Sequence, residues 1–411
     1  MISENKTGYK ETKLGWIPED WEVRLLGDFF EFKNGLNKEK EFFGYGTPII
    51  NYMDVNKKAS LVNKDIIGKV SLSENEIKRF DIKEGDVFFT RTSETIEEIA
   101  YSTVLLEEVK DGVFSGFVLR ARPKRKGEID INFTKYCFST FLARKEIISK
   151  STFTTRALTN GRFLSEVNLL IPSLPEQQKI ANILNTWDKA IATQEKLIAE
   201  KQKLKKGLMQ QLLTGEKRFA GFDDEWEEVI LNEACNFKNG KGHEQFIDEA
   251  GQYVVVNSKF ISTGGRVKKY TKTQAAPLVK DDIVMVMSDV PNGKALAKCY
   301  LIEEDYKYSL NQRICSLKAK GVDTKFLYYQ LNRNKFYLKF NDGLSQTNLK
   351  KKEVLGCPIV VPSIEEQEKI VTTIEASNNS LLLMQNALKD TVKQKQGLMQ
   401  QLLTGEKRVR I

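Results

Sequence analysis

Two stretches of the chain carry apolar residues at heptad spacing. Leu184, Ile191, Ile198 and Leu212 fall seven or fourteen residues apart, and Ile374, Leu381, Leu388 and Leu402 repeat the series farther on. In the first stretch Ile183, Ala190, Leu197 and Leu204 form a second row, and Ile180, Trp187 and Leu208 a third. A two-helix seam needs a narrower stripe, so the excess width suggests that helices of another chain join the bundle. Each stretch opens on S-x-x-E, Ser173 with Glu176 and Ser363 with Glu366, which reads as a capping box; Pro175 sits in the first turn of the first copy. Each closes on Thr-Gly, where Gly215 and Gly405 suit a left-handed helix end. The pattern predicts two helices of about 40 residues, roughly 60 Å long at 1.5 Å per residue.

Outside these stretches the pattern changes. Short apolar runs bounded by turn residues predict strands at 46–52, 86–90, 114–121, 253–257, 282–287 and 308–317. Helical spacing appears at 133–150 and 324–341. The chain also repeats itself. Residues 207–218 and 397–408 both read GLMQQLLTGEKR, and P-S-x-x-E-Q-x-K-I occurs at 172–180 and 362–370, in the same register. The middles of the helices keep only the pattern, while the ends keep the sequence. Packing alone needs only the pattern, so the ends share a specific contact made twice. Before each helix the likeness is looser: Trp21 and Trp226 precede F-K-N-G at 32–35 and 237–240, and turn-plus-strand octets follow at 82–89 and 278–285. Insertions between these markers place the variation in loops. The expected class is α+β: two mixed α/β domains, 1–171 and 219–361, and two long antiparallel coiled-coil helices, 172–218 and 362–411, as a pseudo-two-fold internal repeat.

Composition narrows the function. The 411 residues hold 64 Lys and Arg against 55 Asp and Glu, a net charge of +9, which favours a polyanionic partner. The five cysteines lie far apart with no C-x-x-C, which argues against a disulfide framework or zinc site and for a reducing cytoplasm. The start lacks the apolar core of a signal peptide, and no run approaches the ~18 to 20 apolar residues of a membrane span. No membrane partner is expected.

Catalytic patterns are missing. His243 is the sole histidine, and no G-x-x-x-x-G-K-[ST] loop occurs. Neither the N-P-P-[FY] motif of amino-methyltransferases nor the P-D…[DE]-x-K nuclease motif is present. No catalytic residue, metal or cofactor is expected in this chain. What remains are side chains suited to base edges and phosphates. In the first half these are Lys33, Asn34, Arg91, Thr92, Ser93, Arg156, Asn160 and Arg162. In the second they are Lys238, Asn239, Lys259, Arg266, Lys268, Lys269, Ser288, Asn311, Gln312, Arg313, Ser345, Gln346 and Asn348.

The chain resembles the specificity subunit of Type I DNA restriction–modification systems over its full length. The resemblance rests on G-W-I-P-E-D-W-E at 15–22, on the paired P-S-x-x-E-Q-x-K-I openings and on the twin GLMQQLLTGEKR endings. S-Q-T-N-L at 345–349 also looks like the polar stretch such subunits carry before the helix, whereas 154–160 is less similar. The resemblance implies that each globular region is a target-recognition domain reading one half of a bipartite sequence in double-stranded DNA. It implies helices that set the gap between the halves and dock two methyltransferase subunits, which hold S-adenosylmethionine, together with restriction motor–nuclease subunits. The candidate partner contacts are the residues kept in both copies: Gln177, Lys179, Gln210 and Gln211, with Gln367, Lys369, Gln400 and Gln401. The variable regions differ, so the target should be asymmetric. The alternative is a coiled-coil scaffold joining two protein-binding domains without DNA specificity.

Overall fold

A computed structural model describes residues 7–410 apart from Asn292 and Asp342. The chain forms two compact units. Unit 1 takes Met1–Glu195 with Asn386–Ile411, and unit 2 takes Lys196–Gln385. The long helices, Leu174–Leu213 and Ile364–Leu403, are 40 residues each. Unit boundaries fall inside them, so each unit holds the start of one helix and the end of the other.

Within each unit the two helical segments run antiparallel. In unit 1 Glu176 meets Arg408, and farther along Asp188 meets Lys395. In unit 2 Arg218 meets Glu366, and Lys201 donates to the Ser380 hydroxyl at 2.8 Å. Leu184, Ile198, Leu212, Ile374, Leu381 and Leu402 of the central row are buried. The adjacent row is not: Leu197 and Leu204 are more than half exposed in unit 2, as are Leu382 and Leu383. Among the described residues no helix is long and apolar enough to cross a membrane.

The repeated helix ends make the same contact twice. Glu176 is fully buried; it accepts Trp21 Nε1–H at 2.9 Å and both Nε and Nη2 of Arg408 at 2.7 and 2.9 Å. Glu366 accepts Trp226 Nε1–H at 3.0 Å and Arg218 Nε and Nη2 at 3.0 and 2.7 Å. These glutamates therefore do not fold back as capping-box residues; their carboxylates are taken by an indole and a guanidinium. Arg218 and Arg408 are held firmly protonated by these bonds. Gly215 and Gly405 adopt φ of +72° and +75°, letting the chain turn so that the arginine three residues on reaches the glutamate.

Each unit also carries related sheets. In unit 1 the order is Phe30–Asn34, Val118–Pro123, Val87–Thr90, Ser102–Leu105, Ser60–Leu61. In unit 2 it is Cys235–Asn239, Ile314–Ala319, Ile283–Val286, Cys299–Leu301. The central strands are buried at every position, which is why they read as unbroken apolar runs. Two of the predicted strands prove to be two strands each. Residues 114–121 break between Val113–Phe114 and Val118–Pro123, and 308–317 between Tyr308–Leu310 and Ile314–Ala319. The leading piece pairs in parallel with another sheet, to Phe43–Ile50 in unit 1 and Tyr253–Val256 in unit 2. The predicted helices also divide. The first becomes Ile131–Cys137 and Phe141–Lys150, restarted by Thr140, whose hydroxyl accepts Ala143 N–H. The second becomes Thr324–Leu331 and Lys335–Leu338, interrupted at Arg333 with φ +60°.

Candidate nucleic-acid interface

The strand breaks create one turn in each unit, Ser115–Gly116–Phe117 and Asn311–Gln312–Arg313. The duplicated F-K-N-G motif clamps it. In unit 1 Leu36 N–H donates to Phe114 O at 3.0 Å and Gly116 N–H to Leu36 O at 2.6 Å. In unit 2 Lys241 N–H donates to Leu310 O at 3.0 Å and Gln312 N–H to Lys241 O at 2.9 Å. A Cβ on Gly35 would lie 2.1 Å from Ser115 O, and one on Gly240 1.9 Å from Asn311 O. Only glycine permits this approach, which explains the motif's last letter.

A second wall fixes the turn's far side. Arg91 N–H donates to Phe117 O, and Met287 N–H to Arg313 O at 2.9 Å. Thr159 N–H then donates to Arg91 O, and Leu349 N–H to Met287 O. Next to these bonds Thr92–Ser93 pairs with Ala157–Leu158, and Ser288–Asp289 with Thr347–Asn348, both antiparallel. The 154–160 segment therefore does correspond to the S-Q-T-N-L segment, although the sequences differ. In unit 2 His243 is buried beside the clamp, with Nδ1 2.7 Å from Lys241 O and Nε2 2.7 Å from Ser309 Oγ. It is a core residue bonded on both nitrogens.

The candidate DNA-contacting side chains fall into three groups. Arg91, Thr92, Ser93, Ser288, Arg313, Ser345, Gln346 and Asn348 gather on or beside this turn and its strand pair, with Arg156 exposed nearby. Lys259, Arg266, Lys268 and Lys269 are exposed on and after the helix Ser258–Ser262. Of the remainder, Lys33, Lys238 and Asn160 bond within the chain, while Asn34, Asn239 and Arg162 stay exposed. Lys33 Nζ donates to Arg79 O, and Lys238 Nζ to Pro277 O. Asn160 caps its helix by accepting Phe163 N–H, and Arg162 lies 3.6 Å from Glu166 one turn on. Asn34 and Asn239 end the strands that lead into the glycine clamp. Asn311 and Gln312 stand with Arg313 in the unit 2 turn, as expected from the sequence, whereas Phe117 was missed. The signal was present: Gly116, and Gln312 with Arg313, are poor residues for a strand interior.

The partner candidates are also sorted. Gln177 and Gln367 are buried, each donating to the carbonyl of Pro172 or Pro362 and accepting the N–H of Asp130 or Asp323. The structure thus assigns them an internal role: they tie the helix start to its own domain and have no surface for a partner. Gln400 likewise accepts Phe141 N–H at 2.9 Å inside unit 1. Gln210, its repeat counterpart, lines a cleft of about 740 Å³ in unit 2. Lys179, Gln211, Lys369 and Gln401 are exposed.

Comparison with known proteins gives a consistent picture. A model of the type I restriction modification DNA specificity domain matches residues 18–202 and again 223–394. The putative type I restriction enzyme MjaX specificity subunit of Methanocaldococcus jannaschii is 24% identical over 424 residues, covering 98% of this chain and 97% of its own. The crystal structure of an HsdS subunit from Thermoanaerobacter tengcongensis superposes with a TM-score of 0.54 at 16% identity, covering 95% of this chain and 98% of that one. A further structure, from work on complex assembly and conformational transition of the type I R-M system, reaches 0.63 at 16% identity, with 95% and 99% covered.

Proposed function

The chain belongs to the type I restriction modification DNA specificity family, and from that premise we propose that its two units each read one half of an asymmetric, bipartite duplex target. As a specificity subunit it is not an enzyme. The observation that carries the reading is the clamped turn, built twice from the same backbone bonds and tipped with unlike side chains. A single site would not need two such turns, and a symmetric target would not need unlike tips.

In this reading the exposed bases Lys259, Arg266, Lys268 and Lys269 hold phosphates, while groups on the turn meet base edges. The helices dock two methyltransferase subunits, which carry S-adenosylmethionine, and through that assembly the motor–nuclease subunits. The exposed leucines 197, 204, 382 and 383 support this: they leave apolar helix surface uncovered in unit 2.

The direct test is a domain exchange. Replacing 219–361 with a foreign recognition domain should change one half-site in the methylated motif and leave the other intact, read by single-molecule sequencing of host DNA. Change at both halves would refute one-domain-one-half reading. Inserting about four residues before Gly215 should widen the gap by one helical turn of spacer, about 6 Å. An unchanged gap would remove the helices as the ruler.

A further inference from the structure

Phe117 and Arg313 occupy the same place in their units. Each is the last residue of the clamped turn, and its carbonyl receives the N–H of the residue that leads into the outer strand pair. The side chains share nothing. Phe117 is 65% exposed, so its ring is free to meet a partner. Arg313 is held at φ +66°, a left-handed conformation that a non-glycine residue keeps only where its surroundings impose it. Unpartnered buried polar atoms lie at both turns, two in unit 1 and one in unit 2. Of the six buried side-chain atoms without a hydrogen-bond partner among the described residues, Arg91 Nε, Thr159 Oγ1 and Asn311 Oδ1 belong to this turn or its wall. Buried polar atoms without partners are uncommon in folded proteins.

Resting on the proposed function, we infer that these two tips are specificity-determining residues, each setting one base of its own half-site. The Phe117 ring packs on the C5 methyl of a thymine. The Arg313 guanidinium donates two hydrogen bonds to O6 and N7 of a guanine. The fold therefore supplies one reading position twice, and the tip residue decides whether it is read by apolar contact or by hydrogen bonding.

The test uses the full chain co-expressed with its methyltransferase subunits, with the modified motif read by single-molecule sequencing. Phe117→Ala should relax one thymine position in one half-site, and Arg313→Ala one guanine position in the other. Discrimination at each should fall on the order of tenfold to a hundredfold. Both side chains are exposed, so melting temperatures should stay within a degree or two of the parent's. If Phe117→Ala modifies nothing, Phe117→Leu, which keeps apolar contact without the ring, is judged by the same criterion. An unaltered motif, a change in both half-sites, or no modification by either Phe117 variant overturns the inference. A parent chain that directs no bipartite modification defeats the functional reading itself, so the two failures are distinguishable.

Discussion

The two units lock their helix ends alike but differ one helical stretch farther in. In unit 1 Asp188 collects Lys135 Nζ at 2.6 Å, Tyr136 OH at 2.7 Å and Lys395. In unit 2 the corresponding residue is Asn378, which donates to Tyr329 OH at 3.1 Å. Lys205, the counterpart of Lys395, has no carboxylate partner among the described residues and borders the open cleft with Arg333 and Lys335. Unit 1 thus closes its helix–domain junction with a charge cluster and with Gln400, whereas unit 2 has one ion pair there, Lys325 with Glu375 at 2.7 Å, and leaves Lys205 beside the open cleft. The same backbone design tolerates both, because the buried rows and the Glu–Arg–Trp lock bear the stability. Polar contacts at the junction are then free to diverge.

The protonation behaviour follows. Burial alone would raise the Asp188 pKa, but the bonds from Lys135, Lys395 and Tyr136 outweigh it and hold the carboxyl below its ordinary value. Desolvation pushes the Lys205 ammonium down, with no anion to oppose it.

Breaking the shared lock should have the largest effect. Glu366→Ala removes the acceptor shared by Arg218 and Trp226 and should give the largest drop in the denaturant midpoint of the set. Glu176→Ala should cost less, because Arg408 keeps two bonds to Asp20 at 2.8 and 2.7 Å while Arg218 keeps, among the described residues, one bond to the carbonyl of Asp224. Equal losses would mean that Asp20 contributes nothing.

Exchanging the junction residues sharpens the contrast. Asp188→Asn should destabilise unit 1 by about 1 to 2 kcal/mol, and Asn378→Asp should stabilise unit 2 by under about 1 kcal/mol by giving Lys205 a partner. A double-mutant cycle of Asp188→Asn with Lys395→Met should show coupling; strict additivity would show that the pair is idle. Acid titration offers an independent check. A depressed carboxyl pKa means that the unfolded chain binds the proton more readily, so the Asp188 contribution is complete above about pH 4 and is lost as pH falls through the folded value. Asp188→Asn should flatten that acid limb.

The smallest effect belongs to Lys205. Its depressed pKa makes the charged form a burden on the folded state. Lys205→Met should therefore stabilise unit 2 by under about 1 kcal/mol at neutral pH, measured by thermal melting. The advantage should shrink as pH rises toward about 10.4, where the parent sheds the charge as well. A gain independent of pH would point to packing.

Much of the architecture was legible in the chain. Helix limits followed from serine, proline and glycine signals, and both helices run from within one residue of the predicted cap to two residues before the predicted glycine. The repeated ends announced a contact made twice, because identity beyond the heptad pattern has no use in packing alone. Local chemistry sufficed for these features, since caps and amphipathic stripes are decided within a few residues. The partners were not legible. Arg408 meets Glu176 across 232 residues, and the capping-box spacing pointed that glutamate to the wrong acceptor role. Nor could the apolar run around Phe117 be divided by periodicity, since a strand buried on both faces and a tight turn between two sheets look alike in one dimension. Gly116, Gln312 and Arg313 hinted at a break, but the close approach of Gly35 and Gly240, a distance between segments far apart in sequence, decided where the strand stops and which side chain is left facing out.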